Sequence, residues 1–431
     1  MSESTGDARL TRNGRPLRVL IIVENLAVPF DRRVWSEAKT LAKAGCVVSV
    51  ICPKGFDATR GYEFIDGVHI YRHSMPFEAK GASGYPLEYG WALLCEFLLS
   101  WKVFFRQGFD VIHACNPPDT IFLIGGFFKF LFGKMFMFDH HDINPELYIS
   151  KFGRKDFFYR LLVTLERLTF RCADISLATN ESYRAIALTR GAMPDANVFV
   201  VRSGPDLTRI QRLPANPVLR RGRRYLVGYV GVMGSQEGID LLLKAVKVIV
   251  EEHGRTDIHF GLVGGGPALE DMKVLARDLR VDDFVTFTGR ASDHDLFEML
   301  NTADVCVNPD KADEMNDKST MNKIMEYMAL AKPIVQFDLT EGRFSAADAS
   351  LYAAHNDPQD LAAKILSLID DPDRRAAMGA FGRRRVEQEL AWEHEAPKLR
   401  AAYSALLQRH DRSRNPRGAA ATPAPTHTPR E

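Results

Sequence analysis

Cysteine is scarce in this chain: six among 431 residues, and no two of them form a C-x-x-C pair. Cys46, Cys52, Cys95, Cys115, Cys172 and Cys306 are scattered through apolar segments. That pattern excludes a disulfide framework or a zinc ribbon and predicts reduced core thiols in a cytoplasmic protein. An excess of charge of either sign is also missing. Fifty-six basic residues face 55 acidic ones, a formal net charge of +1, which gives no support to a nucleic-acid partner. No apolar run is both long and unbroken. The nearest, Thr120–Phe138, is interrupted by Lys129 and Lys134, with a break at Gly133. Charges near a bilayer centre are costly, so this run reads as a buried helix followed by a strand. The first sixteen residues lack the apolar core of a signal peptide. Residues 1–16 and the Pro-, Ala- and Arg-rich residues 410–431 are expected to be disordered tails.

What is present is a long alternation of apolar runs and helical patterns. A chain of 431 residues exceeds one typical core, so two domains are expected. Arg18–Val23 reads as a buried strand, Val34–Ala44 as a helix ended by Gly45, and Val47–Cys52 as the next strand. This βαβ opening predicts a parallel sheet. Further strands are expected near residues 68, 110, 135, 174 and 198. Asp206–Arg224 is rich in Pro and Arg and reads as a linker. A second βα series begins at Tyr225 and ends in helices. The expected domains are residues 17–205 and 224–390, with a terminal helix over 391–409.

The stretch from Asn308 to Arg343 carries the strongest chemical signal. A buried strand ends near Asn308, a polar loop is expected over Asp310–Lys318, and Ser319 or Thr320 can cap a helix with apolar Met321, Ile324, Met325 and Met328. Lys332-Pro333 stops that helix. In a doubly wound sheet, ligands sit at the carboxyl ends of strands, and the first turn of a helix offers free N–H groups to an anion. Lys323 lies in that turn and Glu326 follows on the same face. A cation and a carboxylate there suit a ligand with phosphates and hydroxyls, such as a nucleotide sugar. On spacing alone an ordinary surface Lys–Glu pair fits as well, because such pairs are common on helices.

Glu326-Tyr-Met-Ala-Leu-Ala-Lys-Pro-Ile-Val335 resembles the signature of the family-4 retaining glycosyltransferases. Their usual form is Glu, seven residues, Glu, then Ala-Met-Ala and Pro-Val-Val. The position of the first Glu holds Lys318. The form NKIMEYMA is similar to a subgroup that acts in bacterial surface-polysaccharide assembly. The resemblance implies the α/β GT-B fold: two Rossmann-like, doubly wound domains facing a central cleft, with the last helix, marked by Trp392 and Tyr403, crossing back to the N-terminal domain. It implies that Glu326 binds the ribose hydroxyls of the donor. The helix start at Ser319, Thr320, Met321 and Asn322, with Lys323, would hold the diphosphate. It also implies no covalent enzyme nucleophile, no metal and no cofactor beyond the nucleotide-sugar substrate.

Other matches follow in order. Phe138-Asp-His-His-Asp-Ile-Asn-Pro-Glu-Leu147 crowds two histidines, two aspartates and a glutamate into one loop, but the spacing fits no standard zinc pattern. Family members have a His-Asp here near the donor sugar. By that resemblance His141 and Asp142 join Lys323 and Glu326 as the expected catalytic group, with His140 and Glu146 as weaker candidates. Gly231, Gly264, Gly265 and Arg290 match glycine-rich turns and a Phe-Thr-Gly-Arg run that flank the nucleotide site. Glycine would serve the same turns without any ligand.

The departures are as informative. The first βα loop, Glu24 to Glu37, has none of the family's usual glycines but contains Arg32-Arg33, of which either is expected to supply charge to the site, the alternative being a solvated pair with Asp31 or Glu37. Where the family has Arg and Lys on the leaving diphosphate, this chain has Val232 and Glu237. Backbone amides with Lys318, Lys323 or Arg33 are expected to compensate. The alternatives are a nucleotide-sugar epimerase of the same architecture and a binding subunit without catalysis.

The acceptor is expected to be a saccharide, in this subgroup often polyprenyl-linked. Trp91–Phe109 is apolar on more than one face and carries Trp101, Lys102 and Arg106. It reads either as a core helix or as an interfacial one that docks peripherally on the inner face of the cytoplasmic membrane.

Overall fold

The computed structural model describes residues 9–55, 57–75 and 85–414. A small hairpin, β1 (Thr11–Arg12) and β2 (Arg15–Pro16), leads into β3 (Arg18–Ile22), α1 (Arg32–Lys43), β4 (Val47–Pro53), β5 (Tyr62–Ile65) and β6 (Val68–His73). Then come α2 (Tyr85–Arg106), β7 (Val111–Cys115), α3 (Phe122–Phe132), β8 (Met135–His140), α4 (Asn144–Phe152), α5 (Phe157–Cys172), β9 (Ile175–Ala178), α6 (Glu181–Thr189) and β10 (Val198–Val200). The larger sheet of this half has the order β10-β9-β8-β7-β3-β4-β6-β5. It is parallel except for β5, which pairs antiparallel with β6. Both faces are covered, which is why β3 reads as a continuous apolar run rather than an alternating one. Val19 and Ile21 enter one core with α1 and the terminal helix, while Leu20 and Ile22 enter another with α2 and α3.

The second half has β11 (Tyr225–Val230), α7 (Ile239–Lys247), β12 (Ile258–Val263), α8 (Leu269–Asp278), β13 (Val285–Gly289), α9 (Asp293–Thr302) and β14 (Val305–Asn308). It continues with α10 (Glu314–Lys318), α11 (Asn322–Ala329), β15 (Ile334–Phe337), α12 (Thr340–Ala346), β16 (Ser350–Ala353), α13 (Pro358–Ile369), α14 (Pro372–Arg385) and α15 (Trp392–Arg414). Its sheet, β13-β12-β11-β14-β15-β16, is wholly parallel. The strand order reverses between β3 and β7 in the first sheet and between β11 and β14 in the second. In such folds the crevice lies at these switch points.

The terminal helix α15 packs on the first half. Leu399, Ala402, Tyr403 and Leu406 join its core. The Tyr403 hydroxyl lies 2.8 Å from Nδ1 of buried His113, and Trp392 Nε1 donates to Thr40 Oγ1 at 2.9 Å. The run Thr120–Phe138 divides as expected into α3 and β8, with Gly133 left-handed (φ 61°) at the helix end. No helix among the described residues is long and apolar enough to cross a membrane.

Three expectations need correction. Residues 9–16 are not a disordered tail. Leu10 is buried, and Arg12 and Arg15 pair with Asp110, so three local charges tie the hairpin to the sheet. At the other end α15 runs on to Arg414. Residues 1–8 and 415–431 of the expected tails lie outside the described residues. Asp310–Lys318 is not all loop, because Asp313 caps the short helix α10 by accepting from Asn316 N. Nor do Ser319 and Thr320 cap α11. Ser319 Oγ donates to Met315 O, and Thr320 Oγ1 accepts from Asn180. The N-cap is Met321, with no side-chain bond.

Candidate active site in the interdomain cleft

A cavity of about 420 Å³ opens between the two halves at the carboxyl ends of β3 and β14. Its walls include Phe30, Arg32 and Trp35 from the first half, and Arg209, Asp293, Asn322 and Glu326 from the linker and the second half. Glu326 stands one turn into α11, and Asn322 begins that helix. Because Met321 supplies no cap, the first N–H groups of α11 have no side-chain acceptor, the arrangement that suits an anion.

Glu326 Oε1 accepts from Arg32 at 2.7 Å and from Arg209 at 3.1 Å. Asp293 completes a square: its Oδ1 accepts from Arg32 at 2.9 Å and its Oδ2 from Arg209 at 2.8 Å. The square joins three parts of the chain, namely α1, the linker and the second half. Arg290 lies over the Phe30 ring, 5.0 Å from its centroid, and adds another contact across the cleft.

Arg33, one of the two arginines expected to supply charge to the site, lines the cavity but is largely buried and engaged. It donates to Asp139 at 2.7 and 3.1 Å and to Val201 O at 2.7 Å, and it lies 3.3 Å from Glu37. Of the two arginines on the cavity, Arg32 is the more exposed. Burial alone would raise the Asp139 carboxyl, but Arg33, His141 and His113 outweigh it and hold it well below the usual range. Burial pushes Glu37 well above that range, with the Asp139 charge adding to the push. His141 Nε2 lies 2.5 Å from Asp139, so its ring is tethered to that carboxylate. Asp142 is raised by burial, while its backbone is fixed by Asn116, which accepts from Asp142 N and donates to Asp142 O. Glu37, His113, Cys115 and Asp139 bring four ligand-type atoms within 4.8 Å of one another. The Arg33 guanidinium already provides the counter-charge for that group. Of the weaker candidates, His140 and Glu146 are buried away from the cavity, and Glu146 pairs with Arg190 at 2.7 Å.

Lys323 does not meet its expectation either. Its ammonium is 2.7 Å from both Glu237 and Asp310, and its side chain is only 10% exposed. Burial would lower this lysine, but the two carboxylates raise it well above its ordinary value. Of the two acids, Glu237 is held low by Lys323 against the effect of burial, whereas burial and Glu237 push Asp310 up to about 7. Lys318, at the position of the absent Glu, pairs with Glu314 at 2.7 Å.

The glycines bring two backbone turns together. A Cβ on Gly264 (φ 142°) would lie 1.8 Å from Gly231 O, so the β12 turn can pass the β11 turn only without a side chain. Gly265 comes next and approaches Arg290 N. Arg209, Asp293, Phe30 and Trp35 were not anticipated. Asp293 follows the helix-capping Ser292, a local signal for a helix start but not for a site. Arg209 lies in an aperiodic linker and gives no local signal.

A cleft between two doubly wound domains, bound by a returning terminal helix, defines a GT-B protein. Two family models match the chain, "Glycosyl transferase 4-like domain" over residues 31–204 and "Glycosyl transferases group 1" over residues 224–371. Together they take in about three quarters of the sequence, and the chain belongs to this family of glycosyltransferases. It is 28% identical over 209 residues to a GDP-mannose-dependent monoacylated alpha-(1-6)-phosphatidylinositol monomannoside mannosyltransferase of Corynebacterium glutamicum, a match covering 46% of this chain and 53% of that protein. It is 29% identical over 260 residues to a D-inositol 3-phosphate glycosyltransferase of Thermomonospora curvata, covering 56% and 58% respectively. The chain thus spans a little over half the length of these curated relatives. Among solved structures, sucrose-phosphate synthase from Thermosynechococcus elongatus superposes with a TM-score of 0.76 at 19% identity, covering 91% of this chain and all of that one.

Proposed function

We propose that the protein is a retaining glycosyltransferase that moves a sugar from a nucleotide-sugar donor to a saccharide acceptor, polyprenyl-linked, in cell-surface polysaccharide synthesis. The observation that carries this reading is the placement of Glu326 and the uncapped start of α11 on one wall of the interdomain cavity. The carboxylate suits ribose hydroxyls, and the helix end suits phosphate. Departure of a nucleoside diphosphate develops charge, so the principal catalytic task is electrostatic stabilisation of that leaving group. By the family resemblance His141 and Asp142 would orient the transferred sugar. No cofactor or metal is required in this scheme. The curated relatives act on inositol-containing acceptors by their names, which supports a hydroxyl-rich acceptor.

The membrane part of the proposal rests on α2 and α3. Phe105 and Phe130 are 77% and 75% exposed, and Leu98 and Leu131 also face outward. Arg106 ends α2 on the surface. Exposed aromatic and aliphatic side chains beside a cation suit the interface of an anionic bilayer, and a lipid-linked acceptor would place the enzyme on the inner face of the cytoplasmic membrane. Trp101 packs among Phe104, Phe127, Phe128 and Phe132, as the core-helix alternative has it.

The test is a thermal-shift screen of UDP-, GDP- and dTDP-sugars followed by turnover with the stabilising donor, with and without EDTA. A donor should raise the midpoint by mass action. Loss of turnover with EDTA would overturn metal independence. Binding without hydrolysis or transfer would favour the binding-subunit reading, which the full neutralisation of Lys323 by Glu237 and Asp310 makes the leading alternative.

A further inference from the structure

We propose that Arg32 and Arg209 form the seat for the donor's phosphates and that Asp293 fills this seat until a donor arrives. The proposal deepens the donor reading above and rests on it.

A phosphate in the cavity needs a cation, and most cations nearby are engaged elsewhere. Lys323 lies between Glu237 and Asp310, Arg33 is buried against Asp139, and Lys39 is 3.2 Å from Asp206. Arg32 and Arg209 line the cavity itself. Their guanidinium groups converge on the two oxygens of one carboxylate, Asp293, at 2.9 and 2.8 Å. Two arginines meeting on a two-oxygen anion is the geometry that also receives a phosphate.

The four members of the square are not equivalent. Glu326 is 13% exposed and anchors both arginines from beneath, whereas Asp293 is 52% exposed and sits at the rim. Asp293 is the first residue of α9, whose cap is Ser292. Its side chain can therefore swing out without breaking a helical bond. Glu326 Oε1 takes both arginines, and no described residue donates to Oε2, which leaves that oxygen for a ribose hydroxyl. A donor can thus bind by replacing Asp293 alone. Asp293 competes with it, and the apparent affinity falls by the fraction of molecules in which the seat is taken.

The competition gives opposite signs for two variants. Titration calorimetry would use UDP and GDP as probes, with uridine and guanosine as phosphate-free controls. Arg209→Ala should weaken binding of the preferred diphosphate about tenfold or more and leave its nucleoside unaffected. Asp293→Asn should tighten the diphosphate severalfold, again without moving the nucleoside. Raising the salt should shrink both differences. Should Arg209→Ala fail to fold, the rim variant Asp293→Asn decides alone. Wild-type protein that binds UDP or GDP, with affinity unchanged in Arg209→Ala or weakened in Asp293→Asn, overturns the seat while leaving the donor reading intact. Wild-type protein that binds neither diphosphates nor nucleosides overturns both.

Discussion

Arg32 of α1 donates to Glu326 of α11 over 2.7 Å, joining residues 294 positions apart across the cleft. The carboxylate expected to receive a nucleotide is therefore also a bridge between the two halves. Glu326→Ala removes that bridge and the ribose contact together. A lost charged hydrogen bond costs about 1–3 kcal/mol, so donor affinity should fall roughly 5- to 150-fold and transfer should become undetectable. Donor titration and turnover check this, and near-wild-type values in the folded variant would remove Glu326 from the site.

Arg33 should behave unlike its neighbour. Arg33→Met strips the buried Asp139 of its guanidinium, and breaking one partner of a buried pair costs about 3–5 kcal/mol. Urea denaturation should show a large loss of stability for Arg33→Met and a small one for Arg32→Ala. Comparable losses in the two variants would contradict the division of roles between inward and cleft-facing arginines.

Asp310 should leave a signature in the pH dependence of stability. Its folded pKa, about 7, lies above the ordinary 3.8. A raised carboxyl binds its proton more tightly in the folded chain. That contribution is therefore complete below about pH 4 and is lost as pH rises towards 7. The groups facing it are Lys323, Glu237 and Tyr229. Asp310→Asn mimics the protonated acid, so its melting temperature relative to wild type should climb between pH 5 and pH 8. A difference that stays flat across that range would show that Asp310 is ionised throughout.

Gly264→Ala tests the contact between the two glycine turns. With 1.8 Å between the new Cβ and Gly231 O, one turn must move. Overpacking of this kind costs about 1–3 kcal/mol. Stability by denaturant titration should drop accordingly, and donor binding should weaken with it. A neutral substitution would mean that the turns are not held in register.

Vesicle flotation with anionic lipid addresses the membrane face. Wild-type protein should float at low salt, and Phe105→Glu with Phe130→Glu should remain in solution while keeping its fold. Wild-type protein that stays in the soluble fraction would remove the bilayer from the proposal.

The strands of both parallel sheets were legible because each is a compact apolar run between helical patterns, as Tyr225–Val230 and Ile258–Val263 illustrate. Tyr62–Ile65 escaped notice because an edge strand that pairs antiparallel and is half exposed needs no such run. The hairpin at Thr11–Pro16 was hidden for a similar reason. Its anchors are arginines reaching Asp110, some 95 positions away, and polar composition resembles disorder when the partner is remote. Glu326 could be located from its neighbours in sequence. Arg32 could be marked as a candidate charge, but not its pairing with Glu326, and neither Arg209 nor Asp293 was visible, since each bond of the square closes a loop of tens to hundreds of residues. Lys323 shows the opposite failure. Its position in the first helical turn is visible, but the two carboxylates that neutralise it come from other strand ends.

The chain crosses from the first half to the second at Ser203–Pro205 and returns at Leu390–Trp392, and the two crossings touch. Trp392 N donates to Pro205 O at 3.1 Å, and a Cβ on Gly204 would lie 2.4 Å from Leu390 O. Two adjacent strands of backbone act as a single spine, like the binding of a book. Any rotation about that spine must release the Arg32–Glu326 bridge together with the other ties across the halves, Ser150–Asp313 at 2.6 Å, Asn180–Thr320 at 3.0 Å and Arg202–Glu341 at 3.2 Å.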